Sequence, residues 1–172
     1  MGRELRRVPA DWEHPRNERG EYFPLYDEDF ETAARHWKDA LAAWERRDFA
    51  WLEANDFGSP TEEYRDAHEY WEWAGWPPDR AVYRPAWPEE SRTHYQMYEN
   101  TSEGTPISPV MPDIESLAHW LANNHASAFG GMTATYEQWL AMCQNGSAPA
   151  AVIGGGVMES GVAFIAQSAE RK

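Results

Sequence analysis

The heptapeptide THYQMYE, Thr93 to Glu99, decides the fold class. Its residues alternate: Thr93, Tyr95, Met97 and Glu99 fall on one face of an extended chain, and His94, Gln96 and Tyr98 on the other. A period of two with aromatic content predicts a strand. Before it, Pro77, Pro78, Pro85 and Pro88 keep residues 76–92 out of regular structure; after it, NTSEGTPISP is a turn-rich loop.

Helical periods lie on both sides of this strand. Over 29–47, Phe30, Ala33, Ala34, Trp37, Leu41 and Trp44 share one face, and Asp29 is the N-cap. Residues 48–59 read as a connection. A second helix over 60–73 begins at SPTEE, with Ser59 as cap and Pro60 at the first helical position, and Gly75, Pro77 and Pro78 stop it. A third over 113–124 carries Ile114, Leu117, Ala118 and Leu121 behind Asp113. After the loop HASAFGGM, a fourth over 134–144 starts after Thr133 or Thr135, with Thr135 and Gln138 able to form a capping box. The C-terminal PAAVIGGGVMESGVAFIA reads as two strands joined by Gly154, Gly155 and Gly156. The expected fold is therefore α+β: about four helices with a small three-stranded antiparallel sheet and long aromatic, proline-rich loops. The 172 residues suit a single domain, with 1–28 an irregular extension pinned to the core by Trp12, Tyr22, Phe23 and Tyr26, and 166–172 a frayed tail.

Composition narrows the function classes. No apolar run nears the ~20 residues of a membrane span, and the start MGRELRRVPADWEHP is not a signal peptide. The single Cys143 excludes an internal disulfide framework and suits a reducing cytoplasm. The net charge of −14 is carried by residues 21–120, where 22 acids meet eight bases. That field repels nucleic acid and anionic membranes and attracts basic protein surfaces.

Motifs for chemistry are sparse. Among His14, His36, His68, His94, His119 and His125 no pair has the i, i+4 spacing of a zinc helix, and no metal or cofactor is expected. Cys143 lies in an apolar helix and reads as a small buried residue. There is no G-x-S-x-G elbow and no P-loop. Neighbouring carboxylates such as Glu62 and Glu63 read as helix-start acids.

The stretch from Tyr70 to Pro109 is the strongest binding candidate, because Trp71, Trp73, Trp76 and Trp87 fall among prolines and acids. Aromatic faces stack on nucleobases. Trp71, Trp76, Tyr83, Arg84 and Trp87, closed by Ser102, Glu103 and Thr105, form a candidate pocket for a small nucleotide-type ligand, with Arg84 facing a phosphate. Trp71 and Trp73 point to different faces of one helix, so one of them builds core. The rival candidate is an acidic surface of Asp27, Glu28, Asp29, Glu62, Glu63, Asp66 and Glu69, docking on a basic host protein as a nucleic-acid mimic. A small nucleotide-directed enzyme is the third reading.

The blocks YQMYENTSEGTPISPV and HASAFGGMTATYEQWL, with RRVPADWEHPRNERGEYFPLYD and YWEWAGWPPDRAVYRP, resemble a family of small uncharacterised acidic proteins encoded by bacteriophages and prophages. The resemblance spans most of residues 5–145 and implies a phage accessory protein in the host bacterial cytoplasm. It brings no catalytic residues. In that context the expectation is non-catalytic binding in counter-defence: capture of a small nucleotide-derived immune signal or, alternatively, blockade of a basic defence protein, with a homo-oligomer compatible with either.

Overall fold

The computed structural model describes residues 2–100, 103–154 and 157–170. They fall into two compact units, one of residues 1–26 and 85–172 and the other of residues 27–84.

The first unit is built on a three-stranded antiparallel sheet whose central strand is the N-terminal one. Strand β1 (Gly2–Val8) runs along β3 (His94–Asn100) with Leu5 opposite Met97 and Val8 opposite His94. Strand β5 (Ser147–Ala148) pairs with β1 at Glu4 and Arg3. The alternation read for Thr93–Glu99 holds, but the partners differ from those expected. The N-terminal segment is not irregular: GRELRRV supplies the central strand. Its three arginines and one glutamate hide any apolar alternation, so the pattern signal is missing.

Both sheet faces are covered. Met97, Leu5 and Tyr95 face an apolar cluster of Leu117, Ala118 and Leu121 from α5 (Ile114–Asn123) and Trp139, Met142 and Cys143 from α6 (Tyr136–Asn145). On the other face, Arg6 lies 4.2 Å from the centre of the Tyr98 ring, and the Tyr98 hydroxyl accepts from the Trp12 indole at 3.0 Å. The far edge of β3 is met by residues 105–111, through Ile107 N–H to Met97 O and a two-way bond between Tyr95 and Met111. Pro106 and Pro109 have no N–H, which limits that pairing. A short pair, β2 (Leu25–Tyr26) with β4 (Glu103–Gly104), completes this region.

The expected C-terminal strands form their hairpin, β6 (Ala151–Gly154) with β7 (Val157–Ser160), but it is a separate two-stranded sheet. Gly155 and Gly156 lie outside the described residues. GVAFIA is not strand: Gly161–Glu170 is helix α7, and Ser160 Oγ accepts from the Ala163 N–H at 3.2 Å. Val162 is fully buried, and Ile165, one turn on, packs on the same cluster. The expected frayed tail is thus helical to Glu170, and Arg171 and Lys172 lie outside the described residues.

The second unit is helical. Helix α1 (Phe30–Glu45) starts at Asp29, whose carboxylate accepts from Thr32 N at 2.9 Å, as read. The supposed connection contains helix α2 (Phe49–Ala54), capped by Asp48. The single helix expected over 60–73 is two: α3 (Glu62–Ala67), capped by Thr61 rather than Ser59, and α4 (Tyr70–Ala74), opened by a capping box of Glu69 and Glu72. His68 between them is extended, at φ −128° and ψ 151°. Two 3₁₀ turns, Arg80–Val82 here and Glu89–Ser91 in the first unit, interrupt the proline-rich stretch. Among the described residues there are seven α-helices, not four.

The core of the second unit alternates very small and very large side chains. Ala40, Ala43 and Leu52 are fully buried, beside Trp44 and Tyr70. Alanines on α1 let the large rings approach its backbone. Trp44 stacks on Trp73 at 5.4 Å and meets Phe49 edge-on at 5.6 Å.

Candidate ligand-binding cavity

An open cavity of about 570 Å³ lies within the second unit. Helix α1 contributes Ala33, His36 and Trp37, and α4 contributes Tyr70, Trp73 and Ala74. Each set has i, i+3, i+4 spacing, so each is one continuous helix face. The chain after α2 adds Asp56 and Phe57. The proline-rich loop adds Pro78 and Tyr83, and Glu28 stands ahead of α1.

The cavity rings are braced by others. Tyr70 meets Trp37 edge-on at 5.2 Å, Phe57 stacks on Trp51 at 5.7 Å, and Tyr83 meets Phe30 edge-on at 5.6 Å. The Trp37 indole N–H donates to Gly75 O at 3.1 Å. Such bracing holds the rings in place, which would lower the ordering entropy of binding any ligand there. Asp56 takes a left-handed backbone, φ 64°, which Asp tolerates better than most residues and which places it at the cavity edge.

The polar groups of the lining are selective in kind. Glu28, Asp56 and His36 line the cavity with the rings, and no Lys or Arg does so among the described residues. Tyr70 is only 2 % exposed. Burial raises its pKa above the ordinary value of 10.0, so the phenol stays protonated and can both donate and accept.

The pocket residues read from sequence divide between the units. Tyr83 lines the cavity. Trp71 and Trp76 stack on one another at 4.5 Å, with Trp76 73 % exposed. Arg84 lies 3.8 Å from Asp27, which offsets its charge. Trp87 belongs to the first unit, edge-on to Trp12 at 4.7 Å. There too, Thr105 Oγ1 donates to Glu99 at 2.6 Å, and Glu103 lies in β4. Ser102 lies outside the described residues. As read, Trp71 and Trp73 go to different faces, and Trp73 is the core ring. His36, Trp37, Asp56, Phe57 and Tyr70 were missed. His36, Trp37 and Tyr70 lie on helix faces that read as core, and Asp56 and Phe57 follow α2, where no period marks them.

The seven acids of the rival surface all lie in the second unit, and several have local roles. Asp29 caps α1, and its bonds from Thr32 hold its pKa low. Asp66 pairs with Arg47 at 2.7 Å, Glu69 caps α4, and Glu62 and Glu63 occupy the first turn of α3. Glu28 belongs to the cavity. Cys143 is buried, and burial pushes its thiol up to about 12, so it is not a thiolate at neutral pH. No cluster of three or more His, Cys, Asp or Glu that could hold a metal occurs among the described residues, and none of their helices is long and apolar enough to cross a membrane.

No family model, curated protein or solved structure matches the chain.

Proposed function

We propose that the protein acts by non-catalytic binding, and that the cavity of residues 27–84 holds a small, flat, nitrogen-rich ligand of the nucleobase type. The observation that carries this is the lining itself: braced rings, two carboxylates, and the buried Tyr70 with its protonated hydroxyl. Its volume falls in the range of roughly 300–1,000 Å³ usual for small-molecule sites. Rings supply stacking, worth roughly 1–3 kcal/mol per base. Glu28 and Asp56 accept N–H groups such as those on a base edge and disfavour phosphate. A nucleotide-derived ligand therefore enters base first, with any phosphate outside the cavity. This replaces the sequence-based expectation of a phosphate held by Arg84, whose partner is Asp27. The phage counter-defence context rests on the resemblance of the sequence blocks and is part of the same proposal.

The test is calorimetric titration of the full chain with the nucleosides and their 5′-monophosphates. One nucleoside should bind at one per chain, at least as tightly as its monophosphate, and be recovered intact. Tyr83→Ala should weaken it about tenfold, since removing one stacking ring costs roughly 1–3 kcal/mol. A monophosphate that binds while its nucleoside does not would overturn the assignment, as would turnover of the ligand.

A further inference from the structure

The rings of Trp71 and Trp76 stack at 4.5 Å with 20° between planes, yet Trp71 is 40 % and Trp76 73 % exposed. Neither lines the cavity. Several devices build this pair. The Glu69–Glu72 capping box starts α4, on which Trp71 lies. Gly75 at φ 87° turns the chain beyond it, a conformation strained for any side chain. The Trp37 indole anchors the Gly75 carbonyl at 3.1 Å, and Pro77 and Pro78 stiffen the loop after Trp76. A mostly exposed, pre-ordered indole pair is unusual on a soluble surface and marks a recognition point.

The charge of the unit that carries it selects the occupant. Residues 27–84 carry fifteen acids and seven Lys or Arg, net −8. Three of the seven bases, Arg47, Arg80 and Arg84, lie against carboxylates of the same unit, Asp66, Glu31 and Asp27. A second copy of this chain would bring a second unit of net −8, and an anionic membrane or nucleic acid would be repelled. A guanidinium suits both features, because it stacks flat on indole and pairs with carboxylates.

We infer that the Trp71–Trp76 pair is a docking platform for an arginine-bearing, basic segment of a partner protein. This goes beyond the cavity assignment and does not depend on it.

The experiment is calorimetric titration of the full chain with a tetra-arginine peptide, with tetra-lysine for comparison, at two salt concentrations. Tetra-arginine should bind more tightly than tetra-lysine, and more weakly at high salt. Trp76→Ala should weaken it about tenfold, between the exposed and the desolvated scales of a cation–π contact, and leave nucleoside binding unchanged. Trp76 is exposed, so its removal leaves the fold intact, which a circular dichroism melt checks. Equal affinity of wild type and Trp76→Ala would reduce the effect to diffuse charge and overturn the platform. So would no detectable tetra-arginine binding, or a concentration-dependent dimer that Trp76→Ala abolishes.

Discussion

His14 shows how much a single residue can couple here. It is 6 % exposed, with Nε2 2.7 Å from the Phe23 carbonyl and Nδ1 3.1 Å from the Tyr98 hydroxyl. The carbonyl only accepts, so Nε2 carries the proton in the neutral ring. Burial lowers its pKa below the ordinary 6.5. The Phe23 carbonyl opposes that shift, and Arg6 and Arg16 add to it. By linkage, a depressed base favours the neutral folded form, and the unfolded chain takes up the proton first as pH falls. The His14 contribution is complete above about 6.5 and is lost as pH drops from there toward the lower folded value. Urea midpoints at pH 7.5, 6.5 and 5.5 should therefore fall for wild type and fall less for His14→Gln. A steeper decline in the variant would contradict the assignment. At this scale the aromatic character of the site was legible, down to Trp71 and Trp73 on different faces. The cavity was not, because His36, Trp37 and Tyr70 share a helical period with core residues, and a sequence does not say which apolar face stops short of its neighbour.

Among the elements, α7 tests the correction to the C-terminal reading. Gly161 starts it where a Cβ would collide with the Pro149 carbonyl oxygen, a backbone atom that cannot swing away. Gly161→Ala should cost roughly 1–3 kcal/mol, as overpacking does, measured by urea denaturation. A change under about 0.5 kcal/mol would mean the chain there is not packed as described. Had GVAFIA been a strand, its small and apolar residues would have looked the same on paper, since so short a run has no decisive period. The cap at Ser160 was the available signal. Elements with side-chain caps and a clear stripe were legible: Asp29, Asp113 and Thr135 begin α1, α5 and α6 as read. Strand β1 was not, because a central strand whose faces carry Arg3, Glu4, Arg6 and Arg7 is held by buried hydrogen bonds rather than by apolar alternation. Arg3 Nε donates to Ser127 O at 2.8 Å, and Arg6 pairs with Glu4 at 2.9 Å. Such partners lie far along the chain or depend on the sheet already being formed.

At the scale of the whole molecule, the ten tryptophans divide usefully. Trp37, Trp44, Trp51, Trp71, Trp73 and Trp76 belong to residues 27–84, and Trp12, Trp87, Trp120 and Trp139 to the other unit. Net charge divides too, −8 against −6, so acidity alone does not single out residues 27–84; the distribution of rings does. Each indole N–H gives its own proton–nitrogen NMR signal and reports on its own surroundings. The central claim is that residues 27–84 bind through the aromatic cavity. Its most direct test is the set of ten indole signals of the full chain during nucleoside titration. The expected result is movement of Trp37 and Trp73, with Trp12, Trp87, Trp120 and Trp139 unmoved. Movement confined to those four, or no movement at nucleoside concentrations up to the millimolar range, would contradict it.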